Sequence, residues 1–304
     1  MGKINLLARV SALLLLSLHG VTATPAGVPV PGLLVPVGEH RLHLNCRGTG
    51  VPAVILDAGL GGSSLEWSQI QPTLAERFMT CAYDRAGYGW SEGGPLPRTS
   101  ERIVFELNTL LRNAAIPSPF VLVGHSFGGL NVRLYASYYP EQVAGLVLVD
   151  AAHEDQFDEL AMSSDLGSMP VGGNFFLTSL PGVPQNMPPA VRSLAQEMNA
   201  EYKTHRALRG ELSGFRVSAA QVKNAVVSDA IPTAVLTRGL RMWPDTDTGN
   251  QMELAWRELQ ADLVQNGRDT KHIIANNSGH YIHLDEPALV VNAVAWVARE
   301  RLDR

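Results

Sequence analysis

The feature that most limits the possible folds is a recurring pair of segments, a short strand that is apolar along its length and an amphipathic helix. Strands of this kind are predicted at residues 53–56, 78–83, 120–123, 143–149, 233–237 and 271–275. Helices are predicted at residues 99–111, 129–139, 251–263 and 287–299. Strands without a polar face must be buried on both sides, so the pattern predicts a mostly parallel sheet covered by helices on both faces.

This alternation stops between residues 152 and 230, a stretch that is rich in proline and methionine and contains no obvious buried strand. A helical insertion between two strands explains it better than a second domain. Such an insertion would lie over the carboxyl ends of the strands, where open α/β sheets bind ligands. The methionines could line an apolar pocket or fill gaps in the core. We therefore predict a core at 24–151 and 231–304 and a helical cap at 152–230.

The N-terminal segment has the organisation of a secretory signal peptide. Lys3 and Arg9 precede an apolar run, Val10–Leu18, and small residues then suggest cleavage after Ala23. The alternative is an uncleaved amphipathic helix. Because the run is too short to cross a bilayer and no long apolar run follows, we predict a secreted or periplasmic protein without a stable membrane anchor after cleavage of residues 1–23.

Composition excludes several classes of protein. The 304 residues are 45% hydrophobic and 17% charged, which is typical of a globular chain with a sizeable core. The net charge of −5 lacks the basic footprint of nucleic-acid-binding proteins, so no nucleic-acid partner is expected. No Asp, Glu and His cluster has clear metal-ligand spacing, and no phosphate-binding glycine loop with a lysine is present. We expect no metal and no cofactor, and a small molecule as the partner.

The strongest functional motif is Gly124-His-Ser-Phe-Gly128, which directly follows the predicted strand at residues 120–123 and precedes a helix. The bare pattern is weak, but a buried strand, a sharp turn with small flanking residues and a helix are what a nucleophile elbow requires. The alternative is a structural Gly-Ser turn. We predict that Ser126 is a catalytic nucleophile held above the edge of the sheet.

A serine hydroxyl is a weak nucleophile at neutral pH and needs a base. His280 follows the last predicted strand and precedes the last helix, which places it at the same sheet edge as Ser126. His283 is the competitor, and we interpret it as a polar loop residue or a substrate contact because one base suffices. His125 is adjacent to the nucleophile and is expected to point elsewhere.

The third group must orient the imidazole of the base. Asp150 ends the strand that follows the serine strand, whereas Asp245 comes only after a longer loop beyond residues 233–237. We therefore favour Asp150, with Asp245 as the alternative acid and Asp247 as a more distant one. Asp150 could also simply bond loop amides at the end of its strand.

A developing oxyanion needs preorganised donors. The N–H of Phe127 lies at the start of a helix, where the helix dipole also favours negative charge. The N–H of Leu60 is our second candidate because Gly59 and Gly61 allow the backbone to approach closely. A plain glycine-rich turn is the alternative interpretation, and both can hold together.

Four motifs occur in this order along the chain: Asp57–Gly61, Tyr83–Ser91, Gly124–Gly129 and Ser278–Tyr281. Together they resemble the α/β-hydrolase superfamily of the type with a helical cap after the sixth strand. The resemblance implies an eight-stranded, mostly parallel sheet whose second strand is antiparallel, with helices on both faces. It assigns the nucleophile to Ser126, the base to His280, and the oxyanion donors to Phe127 and Leu60. The acid usually follows the seventh strand; that turn lacks one here, and members with an acid after the sixth strand match Asp150.

The chain has two cysteines: Cys46 ends the alternating stretch Arg41–Cys46, which is predicted to be a strand, and Cys81 lies in the predicted strand at residues 78–83. In an oxidising compartment they could form a disulfide if the two strands are neighbours, or they could remain buried thiols. The strand order implied by the superfamily makes these strands neighbours and supports the disulfide.

These observations predict a serine hydrolase that cleaves small or medium apolar carboxylic esters or lactones through an acyl-enzyme. Haloalkane dehalogenases and epoxide hydrolases of this fold use an aspartate nucleophile, so a serine argues against both. A carbon–carbon bond hydrolase or lyase could use the same triad. A non-catalytic binding protein of the same fold is the alternative from another class. The sequence does not indicate an oligomeric state.

Overall fold

The computed structural model describes residues 30–160, 183–264 and 267–302. The predicted signal peptide and part of the predicted cap lie outside these residues.

One eight-stranded sheet forms the centre of the molecule. Its strands are β1 (Leu33–Pro36), β2 (Arg41–Arg47), β3 (Ala53–Asp57), β4 (Thr80–Tyr83), β5 (Phe120–His125), β6 (Val143–Val149), β7 (Thr233–Arg238) and β8 (Thr270–Ala275). They lie in the order β1-β2-β4-β3-β5-β6-β7-β8. β2 is antiparallel to β1 and β4, and the other pairs are parallel. The predicted fold class is confirmed; β1 was not predicted, because four partly exposed edge residues give no clear pattern.

Helices cover both faces of the sheet. They are α1 (Gln71–Ala75), α2 (Ser100–Asn113), α3 (Phe127–Tyr138), α4 (Gln156–Glu159), α5 (Pro189–Asn199), α6 (Tyr202–Lys223), α7 (Asp247–Asp262), α8 (Ile282–Asp285) and α9 (Pro287–Leu302). Successive residues of a strand point to opposite faces. Accordingly Ile55 joins the core under α2 and α3, whereas Val54 and Leu56 join the core under α1 and α9. Burial on both faces explains why β3 is apolar throughout.

Among the described residues between β6 and β7, the regular elements are the helices α4, α5 and α6, joined by turns and irregular segments. α6 packs against α2 and α3, where Gly210 lies close to the Arg98 side chain. Met187, just before α5, and Ala195, within it, pack with Leu284 in a separate small apolar cluster. Because Leu284 belongs to α8, the α5 segment contacts the part of the chain that follows His280.

The structure contains a disulfide between Cys46 and Cys81. The two residues are direct partners in the antiparallel register of β2 and β4. The bond thus joins β2 to β4, the strand that leads into the Tyr83–Ser91 motif.

Within the described ranges, no helix is both long and apolar enough to cross a membrane.

Candidate active site

Ser126 occupies a sharp turn between β5 and α3. Its φ of 49° and ψ of −120° lie in a region that residues with a side chain rarely adopt. The flanking glycines make this turn possible, because a Cβ at Gly124 would lie 2.6 Å from the Gly128 carbonyl oxygen. A Cβ at Gly128 would lie 2.4 Å from the carbonyl oxygen of Asp57. The backbone strain and the two close approaches fit the nucleophile elbow predicted from the motif.

Asp150 and His280 meet at the same edge of the sheet. Nδ1 of His280 lies 2.6 Å from Oδ2 of Asp150. Asp150 directly follows β6 with a φ of 40°, and its side chain is completely buried. The His280 side chain keeps 17% of its surface exposed. The imidazole is therefore accessible, while the carboxylate that orients it is not.

Two further residues hold the Asp150 carboxylate. The indole Nε1 of Trp256 donates to Oδ1 at 2.9 Å, and the backbone N–H of Arg238 donates to the same oxygen at 3.2 Å. The Arg238 guanidinium lies 3.4 Å from Oδ2. These contacts fix the carboxylate so that Oδ2 faces the imidazole, which selects the tautomer with a proton on Nδ1 and leaves Nε2 free to accept one.

The environment sets the charge of both groups. Burial alone would raise the pKa of Asp150, but the hydrogen bond from His280 and the charge of Arg238 outweigh it and lower that pKa below its ordinary value. Burial lowers the pKa of His280, and the hydrogen bond to Asp150 opposes this only in part. The pair therefore rests as a carboxylate and a neutral imidazole, the state a general base requires.

The alternative acid lies elsewhere. The Asp245 side chain is 86% exposed and pairs with Arg241 at 3.7 Å. Asp247 begins α7. The structure thus brings Asp150, and not Asp245, to His280. His283 was interpreted as a polar loop residue or a substrate contact. It lies instead in α8 and is fully buried.

The two predicted oxyanion donors come from separate turns. The turn after β3 passes beside the nucleophile, since a Cβ at Gly59 would lie 3.3 Å from Cβ of Ser126. The N–H of Phe127 starts α3 directly after Ser126. Among the described residues, neither Leu60 N–H nor Phe127 N–H has a hydrogen-bond partner, although both residues are buried. Buried backbone donors are nearly always paired, so these two are available for a ligand.

Arg85 orients the first of these turns, and sequence reasoning missed it. Its Nη2 donates to the Gly59 carbonyl at 2.7 Å, and its Nη1 donates to the Ala58 carbonyl at 2.7 Å. In a trans peptide the C=O and N–H groups point in opposite directions. Holding the Gly59 carbonyl therefore aims the N–H of Leu60 away from Arg85. The Tyr83–Ser91 motif, which contains Arg85, was the available signal, but the sequence of the motif does not show which groups Arg85 contacts.

The ring of Phe127, the residue after Ser126, belongs to a row of three packed aromatic side chains. The ring of Phe127 packs edge-on against Phe215 of α6, with centroids 5.0 Å apart. Phe215 also packs against Phe157 of α4 at 5.1 Å. The insertion between β6 and β7 therefore contributes apolar groups close to the site.

Within the described chain, one set of side chains has the arrangement of metal ligands. Glu66, His125 and His283 each offer one ligand atom, and these atoms lie within 4.8 Å of one another. The residues come from three separate segments, which is why spacing along the sequence gave no sign of the cluster.

Comparison with known proteins supports the fold. The family model described as "alpha/beta hydrolase fold" matches residues 52–251. The uncharacterized protein YqjL of Bacillus subtilis is 27% identical over 263 residues, which cover 86% of this chain and 87% of YqjL.

Solved structures of the same fold include enzymes with different activities. A thermophilic esterase from Thermogutta terrifontis superimposes with a TM-score of 0.59 at 19% identity, covering 86% of this chain and 94% of the esterase. The epoxide hydrolase CorEH, without ligand, gives a TM-score of 0.63 at 18% identity, covering 87% and 96%. At these identities the similarity concerns the fold, and the chemistry must be argued from the residues of the site.

Proposed function

The chain belongs to the α/β-hydrolase fold family, and on that premise we propose that it is an exported serine hydrolase acting on carboxylic esters or lactones. The observation that carries the proposal is the 2.6 Å contact between His280 Nδ1 and Asp150 Oδ2, at the sheet edge that also holds Ser126. A neutral imidazole oriented by a buried carboxylate can take the proton of a serine hydroxyl.

The first half-reaction forms an acyl-enzyme. Oγ of Ser126 attacks the ester carbonyl carbon while Nε2 of His280 takes the hydroxyl proton. The N–H groups of Leu60 and Phe127 donate to the oxyanion that develops on the carbonyl oxygen. As the carbon–oxygen bond of the ester breaks, His280 gives its proton to the leaving alkoxide and an alcohol departs.

The second half-reaction releases the acid. Water attacks the acyl carbon and gives a proton to Nε2 of His280. The bond from the acyl carbon to Oγ then breaks, and His280 returns the proton to Ser126. Asp150 stays ionised throughout and stabilises the imidazolium that forms in each half-reaction. No metal takes part in these steps.

Apolar substrates of small or medium size fit the surroundings of the nucleophile. Phe127 directly follows Ser126, its ring packs against Phe215, and Phe215 packs against Phe157; the last two come from the helical insertion that we propose acts as a cap. The predicted leader at residues 1–23 supports export. The Cys46–Cys81 disulfide supports it independently, because such bonds persist mainly in oxidising compartments.

Labelling with a fluorophosphonate tests the proposal. An activated Oγ attacks phosphorus, fluoride leaves and a stable phosphonyl-serine remains, which intact-mass spectrometry detects. We expect one adduct on the purified wild type and none on Ser126→Ala. Ser193→Ala, which removes an exposed hydroxyl on α5, is the matched control and should label like the wild type.

Each other outcome contradicts a definite part of the proposal. No adduct on the wild type would contradict an activated serine and favour the binding protein. An adduct on Ser126→Ala would assign the nucleophile to another residue. Labelling of Ser126 without turnover of any ester or lactone in a panel of graded chain length would favour a carbon–carbon hydrolase or lyase.

A further inference from the structure

Glu66, His125 and His283 form a compact cluster that the proposed reaction does not use. Oε2 of Glu66 lies 3.6 Å from Nδ1 of His125 and 4.0 Å from Nε2 of His283. The exposed fractions of the three residues are 6%, 1% and 0%. All three facing atoms lack a hydrogen-bond partner among the described residues. Buried polar atoms are rarely left unpaired, and here three of them converge.

The other ring nitrogen of His125 determines what its Nδ1 can do. Nε2 of His125 lies 3.1 Å from the carbonyl oxygen of His280, a group that can only accept a hydrogen bond. In the neutral imidazole Nε2 must therefore carry the proton, which leaves a lone pair on Nδ1. This lone pair faces the Glu66 carboxylate, so two acceptors confront each other across 3.6 Å. A positive charge between them is needed to make this arrangement favourable.

His283 supplies a second lone pair to the same point. His283 is completely buried, and both of its ring nitrogens lack a hydrogen-bond partner among the described residues. A neutral imidazole has one N–H and one lone pair. With its N–H on Nδ1, His283 presents the lone pair of Nε2 to Glu66, and neutral imidazole nitrogen is the form that binds metal ions.

We propose that Glu66, His125 and His283 bind one divalent transition-metal ion of the zinc class. One carboxylate and two imidazoles are a donor set that suits Zn²⁺. Ligand atoms about 2.05 Å from a tetrahedral ion lie about 3.3 Å apart. The Glu66 oxygen lies 3.6 and 4.0 Å from the two imidazole nitrogens, and all three ligand atoms lie within 4.8 Å of one another, so they must approach by roughly 1.5 Å at most. The bond from His125 Nε2–H to a backbone carbonyl is the outer contact that metal-binding histidines usually make.

The position of the cluster indicates a role in holding the active site together. Glu66 lies in the 3₁₀ turn Ser64–Trp67, His125 immediately precedes Ser126, and His283 lies three residues after His280. An ion bound here would tie the turn after β3, the nucleophile turn and the base segment to one point. Glu66 also lines a small cavity with Gly62 and Met187.

The competing occupant is a single proton shared between Glu66 and a histidine, and direct metal binding distinguishes the two. Protein without a histidine tag is stripped with a chelator and titrated with Zn²⁺ by calorimetry, and bound zinc is then counted by mass spectrometry after dialysis. We expect one zinc per wild-type chain. Glu66→Gln should weaken binding by about 10-fold or more.

His153→Gln is the matched control, because His153 is buried and pairs with Asp262 outside the cluster. It should bind zinc like the wild type. If wild type binds less than one zinc per chain, or Glu66→Gln binds as tightly as wild type, the proposal is wrong and the proton is the occupant.

Cobalt spectroscopy on the wild type gives an answer that does not depend on whether a variant folds. Stripped protein loaded with Co²⁺ should show the strong visible absorption bands of a four-coordinate ion, and added Zn²⁺ should abolish them. The weak spectrum of hydrated Co²⁺ would contradict the proposal. Both readouts measure the ion and not hydrolysis, so their failure is separate from any failure of the proposed serine chemistry.

Discussion

Two buried arginines support opposite sides of the active site, and they do so differently. Arg85, on the oxyanion side, lies between Asp57 and Glu211 and contacts them at 2.7–3.0 Å. Arg238, on the base side, lies between Asp150 and Glu253, with guanidinium contacts of 3.3–3.4 Å. Both guanidinium groups are nearly inaccessible to solvent.

The two differ in how completely their donors are used. All five N–H groups of Arg85 have an acceptor, namely two oxygens of Glu211, one of Asp57 and the carbonyls of Ala58 and Gly59. Arg238 makes one contact with each carboxylate, and its Nε has no partner among the described residues.

The rings of Trp243 and Trp256 flank the Arg238 guanidinium at 4.8 and 5.0 Å. These rings take the place of further hydrogen-bond acceptors around the charge. Arg85 thus fixes backbone and links α6 to the core. Arg238 stabilises the Asp150 charge through a long contact of 3.4 Å to Oδ2, and the short contact of 2.6 Å to the same oxygen is made by His280. An arginine that holds the backbone in place is most rigid when every N–H group has an acceptor. A carboxylate that must accept a hydrogen bond from an imidazole cannot have both of its oxygens taken by an arginine.

The largest expected effect is a loss of kcat when the acid on the base side is changed. Asp150→Asn should lower kcat about 10⁴-fold, because the amide favours the wrong imidazole tautomer and cannot stabilise the imidazolium. Steady-state kinetics on the best ester substrate measure it. Asp245→Asn, at the exposed alternative position, is the control and should leave kcat unchanged; a comparable loss there would overturn the choice of acid.

The next largest effect is on the free energy of unfolding, and it should differ between the two arginines. Arg85→Met leaves the buried carboxylates Asp57 and Glu211 unpaired and should lower the free energy of unfolding by about 3–5 kcal/mol. Arg238→Met removes longer contacts and should cost less, about 1–3 kcal/mol. Urea denaturation measures both. Arg268→Met, at an exposed position, should change the value by less than about 1 kcal/mol. Equal losses at 85 and 238 would contradict the contrast between them.

The disulfide should contribute to the free energy of unfolding and leave kcat unchanged. It closes a loop with a sequence separation of 35, for which loop entropy predicts a loss of about 2–4 kcal/mol in the double variant Cys46→Ser/Cys81→Ala. Denaturation under non-reducing conditions measures this loss, and adding a thiol reductant to the wild type should reproduce it. At temperatures where the variant is folded, its kcat should equal that of wild type; a large fall in kcat would mean that the disulfide also holds the catalytic groups in place.

The smallest expected effect is a pH dependence of the free energy of unfolding. It comes from the pair of His43 and Asp84, the residue before Arg85. His43 Nδ1 lies 2.7 Å from Oδ2 of Asp84, and both groups are buried. Although burial lowers the pKa of His43, the Asp84 charge and its hydrogen bond raise it above 6.5. Burial raises the pKa of Asp84, but His43 and the backbone N–H groups of Ser64 and Trp90 lower it below 3.8.

The sign of this dependence follows from linkage between protonation and folding. The His43 contribution to stability is complete below pH 6.5 and is lost as the pH rises through its raised folded pKa. The Asp84 contribution is present above pH 3.8 and is lost as the pH falls through its lowered folded pKa. Denaturation at pH 5.5 and 8.5 should therefore show a larger stability deficit of His43→Gln relative to wild type at the lower pH. A deficit independent of pH would mean that His43 is neutral in the folded protein.

The strand pattern and the principal motif were readable from local sequence. β3, β5 and β6 are apolar because both faces of the sheet are covered, and that burial appears directly in the residue types. Ser126 was found because a strained turn requires small neighbours at fixed spacing. β1 was not predicted from the residues, because a short, partly exposed edge strand does not have to be apolar along its length.

The supporting residues could not be found in the same way. Arg85 and Glu211 are 126 positions apart in the chain, and Asp150 and Arg238 are 88 apart. No periodicity connects such pairs, and each residue alone resembles an ordinary surface charge. Glu66, His125 and His283 likewise meet only after three separate turns are assembled at one sheet edge.

The sequence by itself determined the layered fold and the candidate nucleophile, because burial and backbone strain act over a few neighbouring residues and restrict the residue types there. Only the tertiary structure brought Asp150, and not Asp245, against His280, revealed the two arginine-centred networks and gathered the Glu66, His125 and His283 cluster. Electrostatic and hydrogen-bond partners act through distances of a few ångströms in space, and the chain order does not fix those distances until the sheet has formed.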